Sequence, residues 1–188
     1  MPHAPFELRY DSPRKDFHAI VRKGSTVALP DEAHSAREEI KGLGPEHEYF
    51  YRFKVGDWIS PVGRTRTRPP GNSMVRSTTF AFVSCQSFAD GYFTPYHDVA
   101  AAEDVEAVVF LGDYIYEGKN TGARTHMPFR EAKTLDDYRV RHGQYKTDAG
   151  LQRAHAAHPW LITWDDHEFK NNHADLDIDP DPPGGVGR

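Results

Sequence analysis

The sequence predicts an all-β module over residues 1–68 followed by an α/β unit built on a parallel sheet over residues 77–188. Three observations carry this division. Apolar residues alternate with polar ones at Phe6, Leu8 and Tyr10, and again at Tyr49, Tyr51 and Phe53, the period of half-buried strands. Later, a strand pattern, a helix pattern and a second strand pattern follow one another within roughly 30 residues, the size of a βαβ unit. Finally, three apolar runs of that second part each stop abruptly at residues able to do chemistry: Cys85, Gly112-Asp113 and Asp165-Asp166-His167-Glu168.

Within the first part, His18 to Arg22 and Ser25 to Leu29 read as strands around a Lys23-Gly24 turn, and Glu38 to Lys41 reads as a weaker one. Tyr49 to Val55 has the strongest strand pattern, and Gly56-Asp57 turns it into Trp58–Val62. The stretch Leu43-Gly44-Pro45-Glu46-His47-Glu48-Tyr49 has the form of a tyrosine corner, in which the hydroxyl bonds backbone a few residues upstream; the plainer alternative is a core aromatic. Thr65 to Asn72 has a linker's composition, with Pro69, Pro70 and Gly71, and residues 69–76 are assigned as the linker. Its neighbouring arginines, Arg64, Arg66 and Arg68, read as a solvated face.

In the second part, Thr78–Ser84 is a strand, Pro95 suits the first turn of a helix over Tyr96–Ala102, and Ala107–Leu111 is the next strand. Parallel pairing of these strands would place Cys85 and Asp113 at one sheet edge. Thr134-Leu135-Asp136-Asp137 resembles a capping box, with Leu135, Tyr138, His142 and Tyr145 on one face of the helix after it. Asp148 is a cap candidate for a helix over Leu151–Ala157, ended by Pro159, and Trp160–Trp164 is a third strand.

Composition bounds the function. Hydrophobic residues make up 38% and aromatics 12%, enough for a packed core. A formal charge of -5 argues against a basic nucleic-acid-binding surface. No run approaches 18 apolar residues, so no transmembrane helix is expected. Met1-Pro2-His3-Ala4-Pro5 lacks the basic and apolar regions of a signal peptide. The single cysteine excludes an intrachain disulfide, and the loop composition of Pro182–Arg188 reads as the end of a fragment.

The chemistry-bearing residues each have a plain and a sharp reading. Alone, Cys85 is a small buried hydrophobe, Asp113 a turn residue, Tyr116 a core aromatic, His167 a core or helix-start histidine, and Asn171 and Asn172 turn formers. Together at strand ends they read as metal ligands. A thiolate and a phenolate suit a hard trivalent ion such as Fe(III), while carboxylates and amides suit calcium, magnesium or manganese. The paired charges of Asp165 and Asp166 are costly unless solvated or bound to a cation. His126, His142, His155, His158 and His173 read as surface or packing residues. The acidic tail Asp175–Asp181 lacks the glycine and closing glutamate of an EF-hand.

Five stretches together resemble a family. Phe82-Val83-Ser84-Cys85-Gln86, Phe110-Leu111-Gly112-Asp113-Tyr114-Ile115-Tyr116-Glu117, Thr163-Trp164-Asp165-Asp166-His167-Glu168 with Asn171-Asn172, Ala154–Trp160 and Ser60–Thr67 are similar to motifs of the PhoD-like alkaline phosphatases, within the metallophosphoesterase superfamily. The resemblance implies a partial fibronectin-like sandwich followed by the first half of an αββα-sandwich metallophosphoesterase domain. It implies hydrolysis of phosphate esters with Fe(III) and Ca(II) as cofactors. Cys85 and Tyr116, rather than Tyr114, would hold iron, Asp113 would bridge the metals, and Asp166 and Asn172 (or Asn171) would bind the divalent ion. His167 would contact phosphate or the leaving group. Cys85 stands where most of the superfamily has Asp-x-His, a departure that fits this family. Export by the twin-arginine route, to the periplasm or outside the cell, is implied as well. The superfamily completes its site with later histidines and aspartates, so residues 1–188 alone are expected to bind metal weakly and to lack turnover. The alternatives are a phospholipase-D-like phosphodiesterase and a catalytically dead module that binds a cell-surface partner.

Overall fold

A computed structural model describes residues 5–11, 17 and 20–173, with the side chains of 17 and 20–173. The acidic tail lies outside the described residues, as do the side chains of Phe6, Leu8 and Tyr10. Strands β1 (Pro5–Asp11), β2 (Ile20–Val27), β3 (Glu48–Val55), β4 (Trp58–Ile59) and β5 (Gly63–Arg66) come first. They are followed by β6 (Phe80–Val83), α1 (Pro95–Ala101), β7 (Ala107–Phe110), α2 (Leu135–Tyr145), α3 (Ala149–Ala157) and β8 (Trp160–Ile162). Single 3₁₀ turns lie at Pro30–Glu32 and Asp166–Glu168. Among the described residues no helix is long and apolar enough to cross a membrane. The chain divides into two compact units, one of Met1–Ala81, Thr94–Val108 and Gly150–Trp160, the other of Phe82–Phe93, Val109–Ala149 and Leu161–Arg188.

In the first unit, β1 to β5 form one antiparallel sheet in the order β2-β1-β3-β4, with β5 also on β3. Among the described residues it is a single sheet. The turn expected at Lys23-Gly24 is absent: β2 runs straight through, with Gly24 opposite Leu8 and Lys23 opposite Arg9, because the β1 backbone supplies partners without a break from Pro5 to Tyr10, ahead of a register shift between Tyr10 and Asp11. Glu38–Lys41 is not a strand. The Lys41 and Gly42 carbonyls take the Arg22 guanidinium at 3.4 and 2.8 Å instead of a ladder. Thr65 and Arg66 belong to β5, and the Thr67 hydroxyl bonds the Gly44 carbonyl at 2.6 Å, so loop-like composition gives way here to pairing with β3. Arg64 is no solvated cation: it pairs with Glu48.

The tyrosine corner is present. The Tyr49 hydroxyl, on a side chain only 4% exposed, accepts from Gly44 N at 2.9 Å and approaches Gly44 O at 3.4 Å. Tyr49→Phe leaves that amide unpaired, and a loss of about 1 kcal/mol is expected in chemical denaturation of the intact protein; an unchanged midpoint would show that the corner contributes nothing to stability. Elsewhere in this unit Pro95 occupies the first turn of α1. His158 is buried between Val105 O and Val99 O at 3.0 and 2.8 Å, and His155 stacks on Trp160 at 4.0 Å. Both are packing histidines.

Strands β6, β7 and β8 form the second sheet in that order. Glu106 N bonds Thr79 O and Leu111 N bonds Val83 O, while Val108 N bonds Pro159 O and Thr163 N bonds Phe110 O. The partners advance together along each pair, so the strands are parallel and their carboxyl ends share one edge. In the second unit, Cys85 N bonds Gly112 O and Gln86 N bonds Asp113 O, both at 3.1 Å, just past those strand ends. Thr134 does cap α2, in a full capping box with Asp137. The face of α2 that is buried differs from expectation. Asp137, Arg141 and Tyr145 point inward at i, i+4 spacing, while Leu135 is 66% exposed. Polar groups occupy the buried face because the loop after Tyr116 offers carbonyls rather than apolar surface. The apolar core of this unit includes Phe88, Phe93, Phe110, Tyr114, Ile115 and Tyr145.

Candidate metal centre

The site begins with backbone geometry. Gly112 has φ +100, and a Cβ there would lie 2.4 Å from Asp165 Cβ and 2.7 Å from Asp165 N. Only glycine lets the β7 end pass so close to the segment after β8. Asp113, Cys85 and Asn172 are all left-handed, with φ of 57, 56 and 60, a conformation that costs a non-glycine residue energy and gathers at functional sites. Asp and Asn tolerate it best.

The turn at Asp113 brings its side chain to those of the segment after β8. Ligand atoms of Asp113, Asp166 and His167 all lie within 4.8 Å of one another. Asp113 is 7% exposed. Its Oδ2 accepts from the Tyr116 hydroxyl at 3.2 Å, while its Oδ1 is buried with no partner. A buried carboxylate oxygen left bare is costly unless a cation or proton meets it. Burial, then the Asp113 and Cys85 charges, push the Tyr116 phenol's pKa well above its usual value. A phenolate at neutral pH would therefore need a cation beside it. The Cys85 thiol lies outside the group of three but is joined to it through Tyr116.

The Asp166 carboxylate accepts from His167 N at 3.1 Å and from Asn172 N. Asn172 thus enters through its backbone, and Asn171 likewise through its backbone amide to Glu117 at 2.8 Å. The His167 ring packs on Tyr116 with centroids 4.2 Å apart, and its Nδ1 meets Glu117 Oε2 at 2.7 Å. That bond makes Nδ1 the donor and leaves Nε2 as the free ring atom. Burial alone would lower the His167 pKa, but the Glu117 bond and the charges of Glu117, Asp113 and Asp166 outweigh it and the net shift is upward.

Two residues carry weight that the sequence reading did not assign. Glu117 orients His167. Glu168 accepts four amides, Asp113 N at 2.9 Å, Tyr114 N, Ile115 N at 3.4 Å and Asp165 N at 2.7 Å. Asp165 and Glu168 form a capping box around the 3₁₀ turn, and Asp-x-x-Glu was a readable signal for it. Glu117 stood only at the end of the Phe110–Glu117 motif, where nothing local pointed to its bond with His167. The donor set of two carboxylates, an imidazole, a phenol and a thiol, with one bare carboxylate oxygen, fits a cation site of mixed hardness.

Residues 80–183 match the family model "PhoD-like phosphatase" and residues 5–69 the model "PhoD-like phosphatase, N-terminal domain". The chain is 46% identical over 182 residues to alkaline phosphatase D of Bacillus subtilis (strain 168), covering 93% of this chain and 31% of that protein. A solved structure titled "Structure of PhoD" aligns with a TM-score of 0.87 at 47% identity, covering 93% of this chain and 34% of that one. The chain thus spans about a third of the length of the relatives it matches. With more than half of its residues inside the catalytic family model, and the Cys85, Asp113–Tyr116 and Asp166–His167 cluster within that span, the chain belongs to the PhoD-like phosphatase family.

Proposed function

We propose that the intact protein is a metal-dependent phosphatase that hydrolyses phosphate monoesters and, with lower preference, diesters. The observation that carries this reading is the bare, buried Asp113 Oδ1 beside Asp166 and His167, an arrangement suited to a cation and hard to justify without one. Cys85 and Tyr116 would hold Fe(III), Asp113 would bridge to calcium, and Asp166 with Asn172 would hold the calcium. When bound, the metals supply a water of lowered pKa and stabilise charge on the phosphoryl oxygens. Glu117 fixes the His167 ring by its Nδ1, so that Nε2, on the side away from Glu117, is free to meet a phosphoryl or leaving oxygen. Glu168 holds the Asp113 loop in register with the turn carrying Asp166. The first 68 residues are proposed as a fibronectin-like module and residues 77–188 as the start of the catalytic domain. Export to the periplasm or beyond the cell is part of this proposal, as the resemblance to the family implies.

Metal content and colour test the ligand set. The purified intact protein is expected to contain iron and to show a visible tyrosinate-to-Fe(III) band that Tyr116→Phe abolishes. An active, colourless, iron-free enzyme would overturn the assignment of Tyr116. Comparison of monoester, diester and phospholipid substrates separates this reading from a phospholipase-D-like one: faster turnover of phospholipid than of any monoester would favour the latter.

A further inference from the structure

We propose that Arg141 and Tyr145, one turn apart on α2, are positioning residues that aim the Tyr116 phenol at Asp113 and Cys85. The inference rests on the reading of Tyr116 as a ligand and extends it to the helix behind it. Both side chains are fully buried. The Arg141 guanidinium is spent wholly on the loop that follows the ligand: Nη1 bonds Tyr116 O and Gly118 O (3.0 Å), Nε bonds Met127 O (2.9 Å), and Nη2 bonds Pro128 O and Arg130 O (3.2 and 3.0 Å). Among the described residues no carboxylate lies within ion-pair distance of it. A buried guanidinium that faces carbonyls and the His126 ring, whose Nδ1 lies 3.1 Å from Nη1, with no carboxylate is an expensive way to fill a core, so its presence calls for a geometric task. Holding the Tyr116 carbonyl is one.

Tyr145 supplies the other half. Its hydroxyl accepts from Tyr116 N and from Phe88 N, both at 3.2 Å. With both lone pairs used, its own proton is left for His126 Nε2 at 3.0 Å. With that proton on the Nε2 side, His126 carries its own on Nδ1 and donates it to Gly118 O at 2.9 Å, so that Arg141 Nη1, 3.1 Å from Nδ1, is a neighbour of the ring and not its donor. The Tyr116 peptide is therefore held at its nitrogen by Tyr145 and at its oxygen by Arg141. Phe88 is the third residue after Cys85, so one hydroxyl ties together the loops that bear both proposed iron ligands. Residues four apart on a helix present their side chains to the same place, which gives both contacts a common rigid base. A tyrosine side chain has few torsions with which to correct a displaced peptide.

The test uses the iron-loaded intact protein with Tyr145→Phe, Arg141→Lys and, as a control destabilised elsewhere, Leu151→Val. A purely structural role would lower the melting temperature in all three and leave the Tyr116 band alone. Positioning predicts that Tyr145→Phe moves the band or cuts its intensity per bound iron by about twofold, and lowers kcat about tenfold with KM little changed, at a melting temperature matched by the control. In the metal-free protein, amide exchange at Tyr116 and Phe88 is expected to quicken about tenfold in Tyr145→Phe and not in the control. An unchanged band and kcat in both Tyr145→Phe and Arg141→Lys would overturn the proposal. If Tyr145→Phe does not fold, Arg141→Lys, which keeps the charge and loses the planar fork, carries the same readouts. A band that survives Tyr116→Phe sinks the ligand reading instead; the exchange arm then decides on the clamp alone, and unchanged exchange at both amides overturns it.

Discussion

Asp113→Asn in the intact protein is expected to reduce kcat for phosphate-ester hydrolysis by about 10³-fold, some 4 kcal/mol of barrier, while the melting temperature stays within a few degrees. The asymmetry follows from what each part of Asp113 does. Its backbone, at φ 57, is a conformation that asparagine adopts as readily as aspartate, and its amide bond to Glu168 is untouched by the change. Its Oδ2 contact with the Tyr116 hydroxyl at 3.2 Å can be kept by an amide oxygen. What is removed is the charge, and with it the ability of the bare Oδ1 to meet a cation. The amide nitrogen that takes its place would again be unpaired and buried, now a donor facing the metal position. Loss of iron from the variant, together with lost activity and retained melting, is the expected triad of results. Activity within tenfold of the parent would mean that the bare oxygen has another purpose and that the metal centre lies elsewhere.

How far this site was legible from sequence depends on which atoms one asks about. Cys85, Asp113 and the Asp166-His167 pair were readable because strand ends are marked by abrupt changes from apolar to polar residues, and parallel pairing then collects those ends at one edge. The hydrogen bonds of Cys85 N to Gly112 O and Gln86 N to Asp113 O are the direct consequence. Glu117 was not readable. Its role depends on a bond to His167, 50 positions away, and no local pattern encodes a pairing of that range. The buried face of α2 misled for a related reason. Amphipathic periodicity assumes that the inner surface is apolar, whereas the loop over Tyr116–Arg130 presents backbone carbonyls, and Arg141 answers them. In the first unit, Lys23-Gly24 carried the composition of a turn, yet β1 offered an unbroken partner, and long-range pairing overrode local preference. The tyrosine corner was legible because its partner, Gly44, is only five residues from Tyr49.

Glu168→Ala is expected to be the most damaging single change to the architecture of the site, at about 3 kcal/mol of stability, or a fall of roughly 6–12 °C in melting temperature. Its two oxygens receive four amides: Asp113 and Asp165 on Oε2, Tyr114 and Ile115 on Oε1. Bonds to a charged acceptor are stronger than neutral ones, and removing the acceptor leaves several donors to find water in a partly closed loop. The side chain is half-buried rather than sealed, so water recovers some of the loss, which is why the estimate stays below the sum of four charged bonds. Glu168→Gln separates charge from shape. A glutamine keeps one oxygen for one pair of amides but turns an NH₂ toward the other pair, donor against donor, so it is expected to recover less than half of the alanine loss. Both variants are also expected to weaken iron retention by at least about tenfold, since the same carboxylate holds Asp113 and the turn of Asp166 together across 55 positions of chain. Normal melting and full iron content in Glu168→Ala would show that the loop after β7 holds its left-handed Asp113 unaided. The amide bonds would then be a consequence of the fold and not one of its causes.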